Sequence, residues 1–235
     1  MVVKNLRKVY KTEAGETVVF DDFNAEFADG KVTAIMGGSG IGKTTLLNCI
    51  AKLTDYEGEI EFSGAPAYVF QDDRLIRGKT VFENVEFVLP CADREERRKR
   101  VKNALEITEL TAEEGKYQQE LSGGQKKRVS LARAFASGRE IMLLDEPLSS
   151  LDIGLKFRIF EVMKKLFASQ KTVIMVTHDA DEALTLANEI VIIGKSGAEY
   201  RRTISSDVFE RDIVGEECNL IRKEIIGYLK NGSIN

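Results

Sequence analysis

Five apolar runs recur along the chain: "VTAIM" at 32–36, "YVF" at 68–70, "IMLL" at 141–144, "TVIMVT" at 172–177 and "IVII" at 190–193. They are short, rich in Val and Ile, and free of polar alternation. That is the pattern of strands covered on both faces, as in a parallel sheet flanked by helices. Helical patterns follow several of them, so the chain is predicted to be α/β. From 72 to 138 the alternation stops. No comparable apolar run appears there, and the segment reads as helix after helix. "DREERRKRVKNALEITEL" sets Val101, Leu105 and either Ile107 or Thr108 on one side, with charges elsewhere. A helical insertion in an α/β core is therefore expected. No internal repeat at a fixed period is found, so a solenoid is not supported.

Composition narrows the class. A chain of 235 residues with 43% hydrophobic and 31% charged residues has the make-up of one large soluble domain. A formal charge of -4 argues against a nucleic-acid partner held by a broad basic surface. The basic run from Arg94 to Arg100 reads as a solvated helix face, because acidic and basic residues interleave at helical spacing. Cys49, Cys91 and Cys218 are odd in number and far apart, so neither a disulfide framework nor a cysteine zinc site is expected. No apolar run approaches the roughly 18 residues of a membrane span, and "MVVKNLRKVYK" has no signal-peptide core. The chain is expected in the cytosol, reaching a membrane only through a partner.

Chemistry concentrates after the apolar runs. In "GGSGIGKTT", Gly37, Gly42, Lys43 and Thr44 fill the G-x-x-x-x-G-K-[ST] pattern between a predicted strand and a predicted helix. The glycines allow successive backbone N–H groups to face phosphate oxygens, and the helix start adds partial positive charge. Lys43 would reach the outer phosphates, and the Thr44 hydroxyl would ligate magnesium. "IMLLDEP" puts Asp145 and Glu146 at the carboxyl end of a buried strand, where ligands sit in open parallel sheets. Asp145 fits the magnesium side, acting through coordinated water, and Glu146 fits a general base for an attacking water. His178 is the sole histidine and follows another strand. It has two readings, a structural histidine beside a helix opened by Asp179, or a sensor of the terminal phosphate. "LSGGQKKR", at 121–128, is a second glycine-rich entry to a helix, and one small chain has no evident need of two anion sites.

Taken together, these motifs resemble the ATP-binding subunits of ABC transporters over nearly the whole chain. "GGSGIGKTT" is similar to Walker A, "LSGGQ" to the signature, "IMLLDEP" to Walker B, "SSLD" to the D-loop, Gln71 in "VFQDD" to the Q-loop, and His178 to the switch histidine. The resemblance implies a P-loop NTPase core of mixed, largely parallel sheet over 1–71 and 139–235. It also implies an N-terminal antiparallel β region and an inserted helical subdomain over 72–138. Tyr10 would stack on adenine. Gly37, Gly38, Ser39, Gly40, Ile41, Gly42, Lys43, Thr44 and Thr45 would hold the phosphates of ATP, and Thr44, Gln71 and Asp145 would serve Mg2+. Two copies would pack head to tail, with Ser122, Gly123, Gly124 and Gln125 of one closing over the nucleotide of the other, which gives the second anion site a purpose. Glu146, His178, Gln71 and Lys43 would carry catalysis.

The resemblance further implies integral membrane permease subunits and a solute-binding protein as partners, with the chain peripheral on the inner membrane face. Leu75, Val81, Phe82 and Val85 are expected either to line the groove that takes a permease helix or to be ordinary helix core. The chain's end after "NLIRKEIIGYLKNGSIN" reads as a stand-alone importer subunit. The stretch "VFQDDRLIRGKTVFENV" is similar to the nitrate, sulfonate and taurine branch, although Ile76-Arg77-Gly78 stands where that branch commonly has Leu-Pro-Trp. The alternatives are an exporter or lipoprotein-release ATPase, and a soluble ABC ATPase outside transport.

Overall fold

The computed structural model describes residues 1–13, 15–89, 93–149, 151–168, 171–194 and 196–231. Its strands are β1 (Val2–Thr12), β2 (Gly15–Glu26), β3 (Val32–Met36), β4 (Glu57–Glu61), β5 (Ala67–Val69), β6 (Ile141–Asp145), β7 (Thr172–Val176), β8 (Glu189–Ile193) and β9 (Ala198–Thr203). Its helices are α1 (Lys43–Ile50), α2 (Val81–Glu86), α3 (Arg94–Ile107), α4 (Gly123–Ser137), α5 (Ile153–Phe167), α6 (Ala180–Leu186) and α7 (Glu216–Asn231). All five apolar runs coincide with strands.

The main sheet has the order β5-β6-β7-β3-β8-β9, parallel except for β9. Strands β3, β6 and β7 are buried at every residue. Because successive side chains on a strand point to opposite faces, each strand feeds two cores. Ala34, Met36, Met142, Leu144, Val173 and Met175 face a layer built with Leu155, Ile159 and Met163 of α5 and Ile221 and Ile225 of α7. Ile35, Leu143, Ile174 and Val191 face the other way, onto Leu46, Leu47 and Ile50 of α1 and Phe20 and Phe23 of β2. Burial of each such side chain stabilises by about 1.5–3 kcal/mol, so both faces resist exposure. At the margin, β9 is largely exposed and carries Arg201 and Arg202, a charged edge that discourages pairing with another chain.

Beside this sheet lies an antiparallel one, β2-β1-β4. Its register shifts between Lys4 and Arg7 on β1, where Asn5 takes φ 50°. Gly58 of β4 packs directly against that irregularity.

The helices α2, α3 and α4 gather around a third apolar cluster that includes Leu75, Val81, Val85, Val101, Leu105, Val129 and Ala132. Among the described residues of 72–138 there is no strand, only an isolated bridge between Thr80 and Tyr117. The cluster resolves the two readings of the groove residues. Leu75, Val81 and Val85 are core, and Phe82 packs partly buried against them, so these side chains hold the helices together and offer little surface to another chain. On α3 it is Thr108 that is buried with Val101 and Leu105, its hydroxyl donating to the Ala104 carbonyl at 2.8 Å. Cys49 and Cys218 are buried free thiols, and burial raises the Cys49 pKa to about 11; Cys91 lies outside the described residues.

Among the described residues, five helices open on a side-chain cap. α2 opens on Thr80, α3 on Asp93, α4 on Ser122, α5 on Asp152 and α6 on Asp179, each accepting a backbone N–H through its side chain. α1 opens on Gly42 at φ 109°, with no side-chain cap. Its first-turn donors are left for something else.

Replacing Gly58 by alanine should cost at least about 1–3 kcal/mol, because the new Cβ would overlap the Asn5 carbonyl and Gly58 holds φ 103°. A denaturant midpoint unchanged in Gly58→Ala would mean that β1 and β4 yield there without cost.

Candidate functional site

The sheet order puts the ends of β5, β6, β7 and β3 along one edge, with β3 between β7 and β8. The loops leaving those strands carry Gln71, Glu146, His178 and the 37–45 turn respectively. This is the carboxyl edge of a parallel sheet, the usual seat of a ligand in such folds.

The turn between β3 and α1 is held by its own lysine. The Lys43 ammonium donates to the carbonyls of Gly37 and Gly38, both at 2.9 Å, curling the loop around its charge. Gly42 has to be glycine: a Cβ there would come within 2.6 Å of Val19 Cγ1 and 2.7 Å of Phe20 Cζ. Gly38 and Gly40, in contrast, have open space where a Cβ would stand, which suits a ligand-facing wall. Burial lowers the Lys43 pKa, and Glu146 and Asp145 act in the opposite direction.

Asp145, the last residue of β6, is buried, and neither carboxylate oxygen has a hydrogen-bond partner among the described residues. Burial raises its pKa and Glu146 adds to the rise; the Thr44 hydroxyl, near enough to act on the carboxylate though outside hydrogen-bond geometry, opposes it together with Lys127 and Lys43. A buried carboxylate without partners is costly. It is explained if a cation completes it. One carboxylate beside one hydroxyl fits Mg2+, which keeps waters and substrate phosphates as its other ligands. No group of three or more His, Cys, Asp or Glu side chains that could hold an ion alone occurs among the described residues.

Glu146 stands in a left-handed conformation, φ 45°, which costs a non-glycine residue of order 1–3 kcal/mol. It is pinned on both sides. Its N–H donates to the Val176 carbonyl at 3.0 Å, and its carbonyl accepts the Ser149 hydroxyl at 3.1 Å. The side chain thus leaves the strand end toward His178, whose Nδ1 lies 3.4 Å from Oε1. His178 is itself 69% exposed, so it is not a satisfied core histidine.

The turn that presents His178 is braced from below. Thr177 donates to Glu182 at 2.7 Å and accepts the Asp179 N–H at 3.0 Å; Lys156 of α5 closes the network on Glu182 at 2.7 Å. Sequence reasoning missed this brace, because nothing in the sequence sets Glu182 and Lys156 apart from the other charged residues of their helices. It also missed Lys127, buried under α4 with its ammonium on the Phe70 and Gln71 carbonyls at 2.9 and 3.1 Å. The available signal was position: Lys127, Ser130 and Ala134 fall on one helical stripe that is otherwise small or apolar.

Gln71 follows β5 and is exposed. Tyr10, on β1, is 38% exposed, with the Lys8 ammonium 4.5 Å from its ring centroid. The second glycine entry does not join these residues. Ser122 and Gln125 form a reciprocal capping box, and Gln125 also donates to Glu113 at 3.2 Å; none of these bonds runs to the 37–45 turn. The first-turn N–H groups of Gly123 and Gly124 have no intrahelical acceptor by geometry, and a Cβ on Gly123 would meet nothing within 4 Å among the described residues outside its own helix. In the "SSLD" stretch, Asp152 caps α5 through the Leu155 N–H at 2.9 Å, and Ser150 lies outside the described residues.

Comparison with known proteins agrees with this arrangement. The family profile described as ABC transporter matches residues 20–149. The aliphatic sulfonates import ATP-binding protein SsuB of Bacillus thuringiensis subsp. konkukian (strain 97-27) is 32% identical, covering 99% of this chain and 96% of that protein. The sulfate/thiosulfate import ATP-binding protein CysA of Bradyrhizobium diazoefficiens is 39% identical over 88% of this chain and 64% of its own length. Among solved structures, the dimeric form of MJ0796, a bacterial ABC transporter cassette, superposes with a TM-score of 0.80 at 31% identity, covering 88% of this chain and 99% of that one. A post-hydrolysis dimer of the same cassette, bound to ADP and Pi, gives the same TM-score. With the profile spanning more than half of its residues and such relatives spanning nearly all of them, the chain belongs to the ABC transporter ATP-binding family, whose members hydrolyse ATP.

Proposed function

We propose that this chain is the ATP-hydrolysing subunit of an importer for a small oxyanion such as a sulfonate or sulfate. The observation that carries the reading is the convergence, at one sheet edge, of an uncapped glycine entry to α1, the strained Glu146 and the partnerless Asp145. The cargo class is supported by the names of the relatives, import ATP-binding proteins for aliphatic sulfonates and for sulfate or thiosulfate. Permease subunits and a solute-binding protein would complete the system, with the chain peripheral on the inner membrane face. No helix among the described residues is long and apolar enough to cross a membrane, so attachment would run through those partners.

In this reading the backbone of Gly37 to Thr45 and the Lys43 ammonium cradle the phosphates of ATP, and Tyr10 stacks on the adenine. Thr44, Asp145 and Gln71 hold Mg2+, which when bound neutralises charge on the outer phosphates. Glu146 accepts the proton of the attacking water, and His178 holds the terminal phosphate beside it. Residues 1–71 and 139–235 form the catalytic core, and 72–138 a helical subdomain. Ser122, Gly123, Gly124 and Gln125 serve the nucleotide of a second copy. Two features among the described residues support action in trans: the bonds of the turn do not run to its own 37–45 loop, and nothing there gives Gly123 a steric reason to be glycine. Donors contributed by both chains would make ATP a bridge between them, and hydrolysis would weaken it by splitting the charge.

Glu146→Gln should keep ATP affinity and lower turnover by about a hundredfold or more, the range for loss of a general base; steady-state hydrolysis at the original rate would remove Glu146 from that role. Glu146→Gly should relieve the left-handed backbone and raise stability by about 1 kcal/mol while abolishing turnover; a lowered melting temperature would show that the conformation costs nothing. Gly123→Asp adds a carboxylate that the helix start favours, so folding and single-chain nucleotide affinity should hold while turnover collapses. Loss of affinity in dilute Gly123→Asp chain would place the turn in cis.

A further inference from the structure

The segment leaving β5 toward α2, residues 70–80, is irregular, and its backbone polar groups need partners outside any ladder. Side chains supply them. From one face of α4, at successive helical turns, Lys127 donates to the carbonyls of Phe70 and Gln71 at 2.9 and 3.1 Å, Ser130 to that of Asp73 at 2.9 Å, and Arg133 to that of Arg74 at 2.9 Å. From α2, Asn84 takes over: its carbonyl oxygen accepts the Ile76 N–H at 2.8 Å, and its amide donates to the carbonyls of Lys79 and Thr80 at 3.2 and 2.9 Å. The spacing 127, 130, 133 matches the helical repeat, so the segment lies along α4 like a strip fastened at intervals. Lys127 is 1% exposed, and Lys127 and Asp73 act on each other, as do Lys127 and Asp145. Burial of a lone ammonium is unfavourable unless its donors and its charge are both matched; here two carbonyls take its donors, and the carboxylates around it offset part of the cost of burial, which still lowers its pKa.

We propose that Lys127 is a positioning residue for Gln71, fastening the backbone that carries it to the same helix that opens with Ser122, Gly123 and Gly124. The inference rests on the role given to Gln71 under Proposed function. A shift of α4, as when its glycine entry meets a nucleotide on a second copy, is then transmitted to Gln71 of its own site through a rigid hydrogen-bonded strip. Lys127 touches no substrate; it acts through the Phe70 and Gln71 carbonyls.

The test is Lys127→Met in the full chain, which keeps the stem and removes the ammonium. Turnover should fall about tenfold or more, the scale of one lost positioning interaction, with ATP affinity within about twofold. Amide hydrogen exchange in 71–76 should rise several-fold without nucleotide. A merely structural lysine would lower the melting temperature and leave turnover at a permissive temperature and local exchange where they were; that result overturns the proposal, as does a loss of ATP affinity. If the methionine variant does not fold, Ser130→Ala removes the next fastening and should raise exchange in the same segment with a smaller loss of turnover; unchanged exchange there is equally fatal. Gln71→Ala separates the two claims. If it keeps its turnover, the role of Gln71 fails and this inference with it; if it loses turnover and Lys127→Met does not, this inference alone fails.

Discussion

Two adjacent carboxylates at the end of a buried strand, Asp145 and Glu146, impose the constraint around which the rest is arranged. A phosphate chain brought beside them adds like charge to like charge, in a setting where burial already disfavours ionisation of Asp145. Within the chain, Lys43 and Lys127 are close enough to act on these carboxylates electrostatically while bonding to backbone carbonyls, and burial lowers the pKa of both lysines. The backbone adds the uncapped start of α1. What one chain supplies is therefore a half-balanced site for a phosphate chain, and the remaining positive charge and donors have to come from a divalent cation or from another copy.

The fold serves this constraint economically. Strands buried on both faces cannot bend or slip without exposing two cores, so the loops at their carboxyl ends are fixed in position. That rigidity holds Glu146 in its left-handed conformation, with the Val176 carbonyl on one side and the Ser149 hydroxyl on the other. It also sets His178 within reach, on a turn braced by Thr177, Glu182 and Lys156. Residues away from the sheet edge thus decide where Glu146 and His178 stand.

Much of this was legible in the chain itself. The apolar runs located the parallel strands because full burial removes the alternation that would otherwise disguise them, and the motifs located the turn at 37–45 and the acids because those chemistries need contiguous residues. Less legible were the features that depend on distant segments meeting. Val81 and Val85 could have lined a groove or filled a core, and periodicity alone does not say which side of a helix is covered. The hydrophobic cluster with Val101, Leu105 and Val129 does. Lys127 was hidden in a basic run whose neighbours are partly exposed, and nothing local marks a lysine whose partners lie 56 and 57 positions earlier. The left-handed backbone of Glu146 likewise follows from tertiary support, not from its neighbours in sequence.

The central claim is that the glycine entry of α4 completes a nucleotide site on a second copy. The molar mass of the Glu146→Gln chain, measured by sedimentation equilibrium with and without saturating ATP and magnesium, tests it most directly. The account predicts a monomer without nucleotide and a dimer with it, reverting to monomer when Gly123→Asp is added. A mass that stays monomeric at saturating nucleotide, or a dimer indifferent to Gly123→Asp, would contradict it.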